Sequence, residues 1–373
     1  MSQCGLIKNQ FFLDPDGTTT YCCESVPDGV AERKTFKLSE WDSKRKYELD
    51  LYKQSKQGWL DECLLCKYNE DTFGSSMRTR SANDAQEHDY ITKAIIKTSN
   101  HCNLACRMCG PELSTLWQKV IRDNPSNDFV IDNDVFVETT DDDFEILKQQ
   151  VLTPHLNSLI FSGGESLLSK KNYQIIEYLI DSGLAKNIDL HITTNGTVKI
   201  KDAWLEAAKE FNELVMEFSI DGSGNVYDYI RPGGNWTTLV DVINYTQNLP
   251  YKVFTKFNYV AQTLNAQIIH TYIKHIENVF KEVYTNNKDD CIRVCYVALE
   301  DSYASLHPKL RDKYKVDKYS SNIEYDPDAF VKFMRKHKWL DKAHNTSLKQ
   351  HNPDFFNTSI YPEELINEYY SNR

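Results

Sequence analysis

From about residue 90 the chain alternates short apolar runs with longer amphipathic stretches. The runs at 93–98 (KAIIKT), 157–162 (NSLIFS), 188–194 (IDLHITT), 214–220 (LVMEFSI), 253–260 (VFTKFNYV) and 292–298 (IRVCYVA) have strand length and are rich in β-branched and aromatic residues. The stretches at 113–121, 141–151, 171–183, 202–211, 236–248 and 266–280 carry helical spacing. Six β–α repeats with apolar strands predict an α/β fold with a parallel sheet covered by helices. A partial (β/α)6 TIM-like barrel suits this count, and a doubly wound open sheet is the alternative.

The pattern before residue 90 is different. Gln10 to Cys22 reads as a hairpin, two β-rich runs around Asp14-Pro15-Asp16-Gly17, where glycine supplies the positive φ of the turn. Residues 39–60 read as a polar helix ending at Gly58. The Asp- and Asn-rich stretch 122–144, with DDD at 141–143, reads as a solvated insertion. After residue 300 the chain turns polar and aromatic, and the pattern predicts no definite order there. Three parts are therefore expected: a cysteine-rich N-terminal module over 1–85, a core over 90–300, and a C-terminal extension over 301–373.

Composition narrows the class. With 40% hydrophobic and 26% charged residues, the 373-residue chain reads as an ordinary globular protein. A net charge of −11 repels phosphate backbones and argues against a nucleic-acid partner. No apolar run is long enough to span a bilayer and no secretory signal is recognisable, so a cytoplasmic location is expected and a membrane partner is not. Ten cysteines in a reducing compartment are poor disulfide candidates. Eight of the ten lie in the first 109 residues, a clustering that core packing does not explain and that metal or cluster ligation does.

Cys102, Cys106 and Cys109 follow the first core strand with C-x3-C-x2-C spacing. Three thiolates from one loop hold three irons of a cubane and leave the fourth iron open to a small molecule. Zinc prefers four closed ligands, and a lone triad fits it poorly. Gly163-Gly164-Glu165 ends the second strand, two glycines that admit close backbone approach and then a carboxylate. Thr193-Thr194-Asn195-Gly196 ends the third strand and Ser219-Ile220-Asp221-Gly222 the fourth. Tyr229-Ile230-Arg231, Phe257-Asn258 and Leu264-Asn265 follow in order. Singly, such residues also serve as turns and helix caps.

Over residues 93–298 this series resembles the radical S-adenosylmethionine (SAM) superfamily. The resemblance implies a SAM-binding [4Fe–4S] cluster on Cys102, Cys106 and Cys109, and SAM contacts at Met108, Gly163, Gly164, Glu165, Thr194, Asn195, Ser219, Asp221 and Arg231. Ser166 stands where the family usually has proline. The implied chemistry is reductive cleavage of SAM to methionine and a 5′-deoxyadenosyl radical, which abstracts hydrogen from a substrate. A one-electron reductant such as flavodoxin or ferredoxin is implied as a partner. No acid–base pair stands out.

Cys4, twelve residues, Gly17, four residues, Cys22, and later Cys63-Leu64-Leu65-Cys66 resemble the family's SPASM or twitch modules, which bind auxiliary [4Fe–4S] clusters. Those modules normally follow the barrel; here the cysteines precede it. Four cysteines also suit structural zinc, and Cys23 is an alternative to Cys22. The twitch-like order points to a peptide substrate, with a small metabolite or nucleotide as the alternative. A non-catalytic metal-binding module and an electron carrier are the competing classes. Cys291 and Cys295 are four apart on the sixth strand and read as free thiols of the core.

Overall fold

The computed structural model describes residues 4–22, 34–55, 59–82, 90–126, 129–131, 136–250, 253–280, 292–296, 303–316 and 323–371. They form two compact units. The first contains residues 1–101, 136–193 and 200–215, the second 102–135, 194–199 and 216–373.

In the first unit the strands are β1 (Gln10–Leu13), β2 (Thr18–Thr20), β3 (Phe36–Lys37), β4 (Lys93–Ile96), β5 (Ser158–Phe161) and β6 (Asp189–Thr194). Their order is β3-β2-β1-β4-β5-β6. β1–β2 and β2–β3 are antiparallel, while β1–β4, β4–β5 and β5–β6 are parallel. The expected hairpin is present. Asp14 N donates to Thr18 O (2.8 Å), Gly17 N to Asp14 O (3.1 Å), and Gly17 takes φ 78°. The hairpin also extends the main sheet, with Phe11 opposite Ala94 and Leu13 opposite Ile96. β4, β5 and β6 alternate half-buried and buried positions, so one side chain in two builds the core (Ala94, Ile96, Leu159, Phe161, Leu190, Ile192).

Helices Asp141–Gln150 and Lys170–Asp181 belong to this unit. The helix expected at 141–151 is Asp141–Gln150, so the DDD run belongs to it and not to the solvated insertion read over 122–144. The run forms its first turn, capped by Thr140, whose hydroxyl accepts from Asp143 N (3.0 Å). Three carboxylates at a helix N-terminus meet the positive end of the macrodipole, which a charge count along the sequence does not reveal. The polar helix expected at 39–60 is Trp41–Gln54, and Gly58 lies outside the described residues.

In the second unit, β7 (Glu213–Ser219, starting in the first unit), β8 (Phe254–Ala261) and β9 (Ile292–Tyr296) are neighbours in that order, and β8–β9 is parallel. Among the described residues neither set of strands closes on itself. Cys295 lies on β9 opposite Val260, and Cys291 lies outside the described residues. Helices Thr115–Asp123, Trp236–Gln247 and Ile269–Val279 match three of the predicted stretches.

The C-terminal extension, whose order the sequence pattern leaves uncertain, is helical over much of its described length. It forms helices Pro308–Tyr314, Pro327–His344, Leu348–His351 and Glu363–Tyr370. In the longest, Phe330, Phe333, Met334, His337, Leu340 and Asp341 are buried, the i, i+3, i+4, i+7 stripe of an amphipathic helix. Its periodicity was hidden because two stripe positions are polar, His337 and Asp341. Leu340 packs with Ala105, Trp117, Val120 and Ile121, and Phe330 stacks on Tyr361 with ring centroids 3.9 Å apart. Among the described residues no helix is long and apolar enough to cross a membrane.

Candidate functional site

In the first unit, β4 runs into Ser99-Asn100-His101, which leads straight into Cys102. Gly163-Gly164-Glu165 lies against that segment. Gly164 N donates to Ser99 O (3.1 Å) and Glu165 N to His101 O (2.7 Å). Gly163 takes φ 107°, a conformation that costs an L-residue strain. A Cβ on Gly164 would stand 2.3 Å from His101 O, so only glycine fits. The Glu165 carboxylate is buried and accepts from Leu167 N (3.2 Å).

In the second unit the cysteine loop is fixed by its backbone. Ala105 N donates to Pro232 O (3.0 Å), Arg107 N to Ile230 O (2.9 Å) and Cys109 N to Cys106 O (2.9 Å). Trp117 Nε1 donates to Cys106 O (2.8 Å) and Ser114 Oγ to Leu104 O (2.6 Å). Two side chains aim N–H donors at cysteine sulfurs of this loop. Arg231 Nη1 lies 3.5 Å from Cys106 Sγ, and Asn195 Nδ2 lies 3.9 Å from Cys102 Sγ. Amide and guanidinium donors at these sulfurs offset part of the cost of holding a thiolate in a buried loop.

Burial raises the Cys106 thiol, opposed by the Arg231 charge. Burial, reinforced by Cys106 and Cys102, pushes Cys109 to about 12. These thiols therefore stay neutral until a metal displaces their protons. The chemistry of the donor set fits a cluster held on one loop.

Arg231 is itself held by Asp221. Nε donates to Asp221 Oδ2 at 2.7 Å, and Asp221 Oδ1 accepts from Val260 N at 2.8 Å. Burial raises the Asp221 carboxyl, opposed by Arg231. Both residues are buried, with their polar atoms turned to each other and to Cys106. Asn265 spends its amide on Asp221 O (3.1 Å) and Val260 O (2.7 Å). Thr194 Oγ1 accepts from Gly196 N (3.2 Å), and Asn195 Nδ2 donates to Asn103 Oδ1 (2.9 Å). Met108 and Ser219 are half-buried.

The N-terminal cysteines also converge. Within the first unit, Cys4, Cys22, Cys63 and Cys66 line one pocket with Leu6, Ile7, Tyr21, Tyr52, Trp59, Glu62 and Arg78. Cys63 precedes helix Leu64–Phe73 and Cys66 sits in its first turn, three positions on, which turns both toward one side. Cys4 N donates to the Tyr52 hydroxyl (2.8 Å). Burial pushes Cys63 to about 12, with Cys4, Glu62 and Cys66 adding to the rise. Arg78 lies over the Trp59 ring at 3.8 Å and its Nε donates to Glu70 Oε1 at 3.0 Å. Glu62 accepts from the Tyr21 hydroxyl and pairs with Lys34 (3.0 Å). Cys23 lies outside the described residues. Among the described residues, no three His, Cys, Asp or Glu side chains are grouped tightly enough to hold a single metal ion.

The sequence reading missed Arg107, Asn103 and Asp341. Arg107 carried a signal, an arginine inside a loop of closely spaced cysteines. Asp341 carried none, being more than 230 positions from its partner.

Residues 96–275 match the model of the Radical SAM superfamily. No curated protein matches the chain. Among solved structures, it is similar to native anSMEcpe with bound AdoMet, at 18% identity and TM-score 0.37, over 68% of this chain and 61% of that one. The chain thus spans less than two thirds of that protein's length. It is also similar to SuiB of Streptococcus suis bound to S-adenosylmethionine, at 15% identity and TM-score 0.38, over 87% and 73% of the two chains. A third likeness is SuiB bound to the precursor peptide SuiA, at 15% identity and TM-score 0.39, over 98% and 78%.

Proposed function

We propose that this protein is a radical SAM enzyme whose [4Fe–4S] cluster is held by Cys102, Cys106 and Cys109. The observation that carries the reading is the thiolate-suited cysteine loop, with Arg231 and Asn195 donating to two of its sulfurs. When bound, cluster and SAM together supply one-electron cleavage of the sulfonium and a 5′-deoxyadenosyl radical that abstracts hydrogen from the substrate. The chain's own residues bind, orient and shield. Three thiolates leave one iron position for the amino and carboxylate groups of SAM. Glu165, with the Gly163 and Gly164 backbone, orients the amino group. Thr194, Asn195, Ser219 and Met108 line the remaining contacts, and the Asp221–Arg231 pair supports Cys106.

In this reading residues 1–85 form an auxiliary cluster module on Cys4, Cys22, Cys63 and Cys66, residues 90–300 the partial-barrel core and 301–373 an extension. Support for the auxiliary site is the convergence of four cysteines from distant positions on one pocket. Flavodoxin or ferredoxin is the reductant class. A peptide is the substrate class, on the twitch-like order of the N-terminal cysteines.

The test is anaerobic reconstitution with iron and sulfide, metal analysis, and assay for 5′-deoxyadenosine after adding SAM and dithionite. The wild type should yield the product, and the Cys102→Ala/Cys106→Ala/Cys109→Ala variant none. Product from that variant, or zinc in place of iron in protein purified anaerobically, rejects the reading.

A further inference from the structure

Inside the cysteine loop, between Cys106 and Met108, stands an arginine with no solvent exposure. A buried guanidinium costs several kcal/mol unless charge and hydrogen bonds compensate it. Arg107 is compensated from the C-terminal extension. Its Nη2 lies 2.7 Å from Asp341 Oδ1 and donates to Thr346 Oγ1 at 2.6 Å. Nη1 meets His337 Nδ1 at 3.2 Å, Nε donates to Tyr229 O at 2.8 Å, and the guanidinium lies 3.8 Å from the Tyr229 ring centroid.

Asp341 is equally committed. It accepts from the hydroxyls of Tyr229 (3.0 Å), Thr346 (2.9 Å) and Tyr369 (2.8 Å) and from Leu348 N. Thus Asp341, on Pro327–His344, joins the cysteine loop to two later segments of the chain. Nearby, Trp339 stacks on Trp117, whose indole holds the carbonyl of Cys106.

This pair has two consequences for a cluster on the loop. It fixes the backbone between two ligands. It also sets the local field, because a cation one residue from a ligand favours the more negative, reduced cluster, and the paired carboxylate offsets it. We propose that Asp341 is a positioning residue for the SAM-cleaving cluster, balancing Arg107 so that the C-terminal helix controls both the conformation of the cysteine loop and the ease of reducing its cluster. This rests on the radical SAM reading above.

The experiment is a redox titration of the reconstituted full-length holoenzyme by electron paramagnetic resonance (EPR), followed at the signal that changes when SAM is added. Asp341→Asn leaves the arginine unbalanced, and the midpoint potential should move positive. Arg107→Gln leaves the carboxylate, and the potential should move negative. Arg107→Gln/Asp341→Asn should return toward the wild type. Either single variant decides the sign, so failure of one to fold leaves the other informative. Shifts of the same sign in both, or unchanged potentials with mere loss of iron, would overturn the proposal and reduce the pair to a packing role. A wild type that takes up no SAM-responsive cluster overturns the radical SAM reading instead.

Discussion

Gly164→Ala tests the close approach on which the Gly163-Gly164-Glu165 turn depends. The new Cβ would lie 2.3 Å from His101 O, 2.8 Å from His101 C and 2.9 Å from Asn100 C, all backbone atoms that cannot swing aside. Relief requires the two segments to part by about 1 Å, and overpacking of this kind costs about 1–3 kcal/mol. Parting also weakens Gly164 N to Ser99 O and Glu165 N to His101 O. Each of those bonds has a net worth of about 0.5–1.5 kcal/mol. The sum is about 2–6 kcal/mol.

Gly183→Ala is the control. Gly183 has φ 70° and nothing within 4 Å of a built Cβ, so it carries only a left-handed strain of about 1–2 kcal/mol. Urea denaturation of the iron-free variants compares the two, and iron per chain after reconstitution reports whether the segment entering Cys102 still serves the cluster. A Gly164→Ala protein within about 0.5 kcal/mol of wild type, with unchanged iron, would refute the packing argument.

Three further outcomes are expected. Replacing Cys4, Cys22, Cys63 and Cys66 with alanine should lower iron from about eight to about four per chain while SAM cleavage persists, and unchanged iron would exclude an auxiliary cluster there. Burial holds His344 and His351 to about 4, below their ordinary range. The unfolded chain therefore binds more protons between about pH 6.5 and 4; stability should be fully present above pH 6.5 and fall across that window, and His351→Gln should flatten the fall measured by denaturant titration. Trp339→Ala removes stacks on Trp117 (5.9 Å) and Phe129 (4.5 Å) and the bond from Nε1 to Asn124 O (2.9 Å). A loss of about 3 kcal/mol is expected by calorimetry, and a change under 0.5 would show that the C-terminal helix contributes little.

Strands β4 to β9 were legible because each is a short run rich in β-branched and aromatic residues. The hairpin was legible because Pro15 and Gly17 dictate its turn. The cysteine loop showed itself by spacing alone. What escaped were features made by distance. The pairing of β1 with β4 joins residues more than 80 positions apart, and no local pattern encodes it. The C-terminal helix hid behind two polar residues in its buried stripe. Asp221 and Arg231 stood out as polar residues after one strand, but their mutual pairing, and the turn of Arg231 toward Cys106, needed coordinates.

The central claim is an iron that no protein ligand occupies. EPR of the dithionite-reduced holoenzyme, recorded with and without SAM, addresses it directly. Binding of SAM's amino and carboxylate groups to that iron should change the g-values of one cluster signal, and the Cys102/Cys106/Cys109 alanine variant should lack that signal. Spectra that superimpose with and without SAM would mean every iron is already fully coordinated by the protein, and would contradict the account.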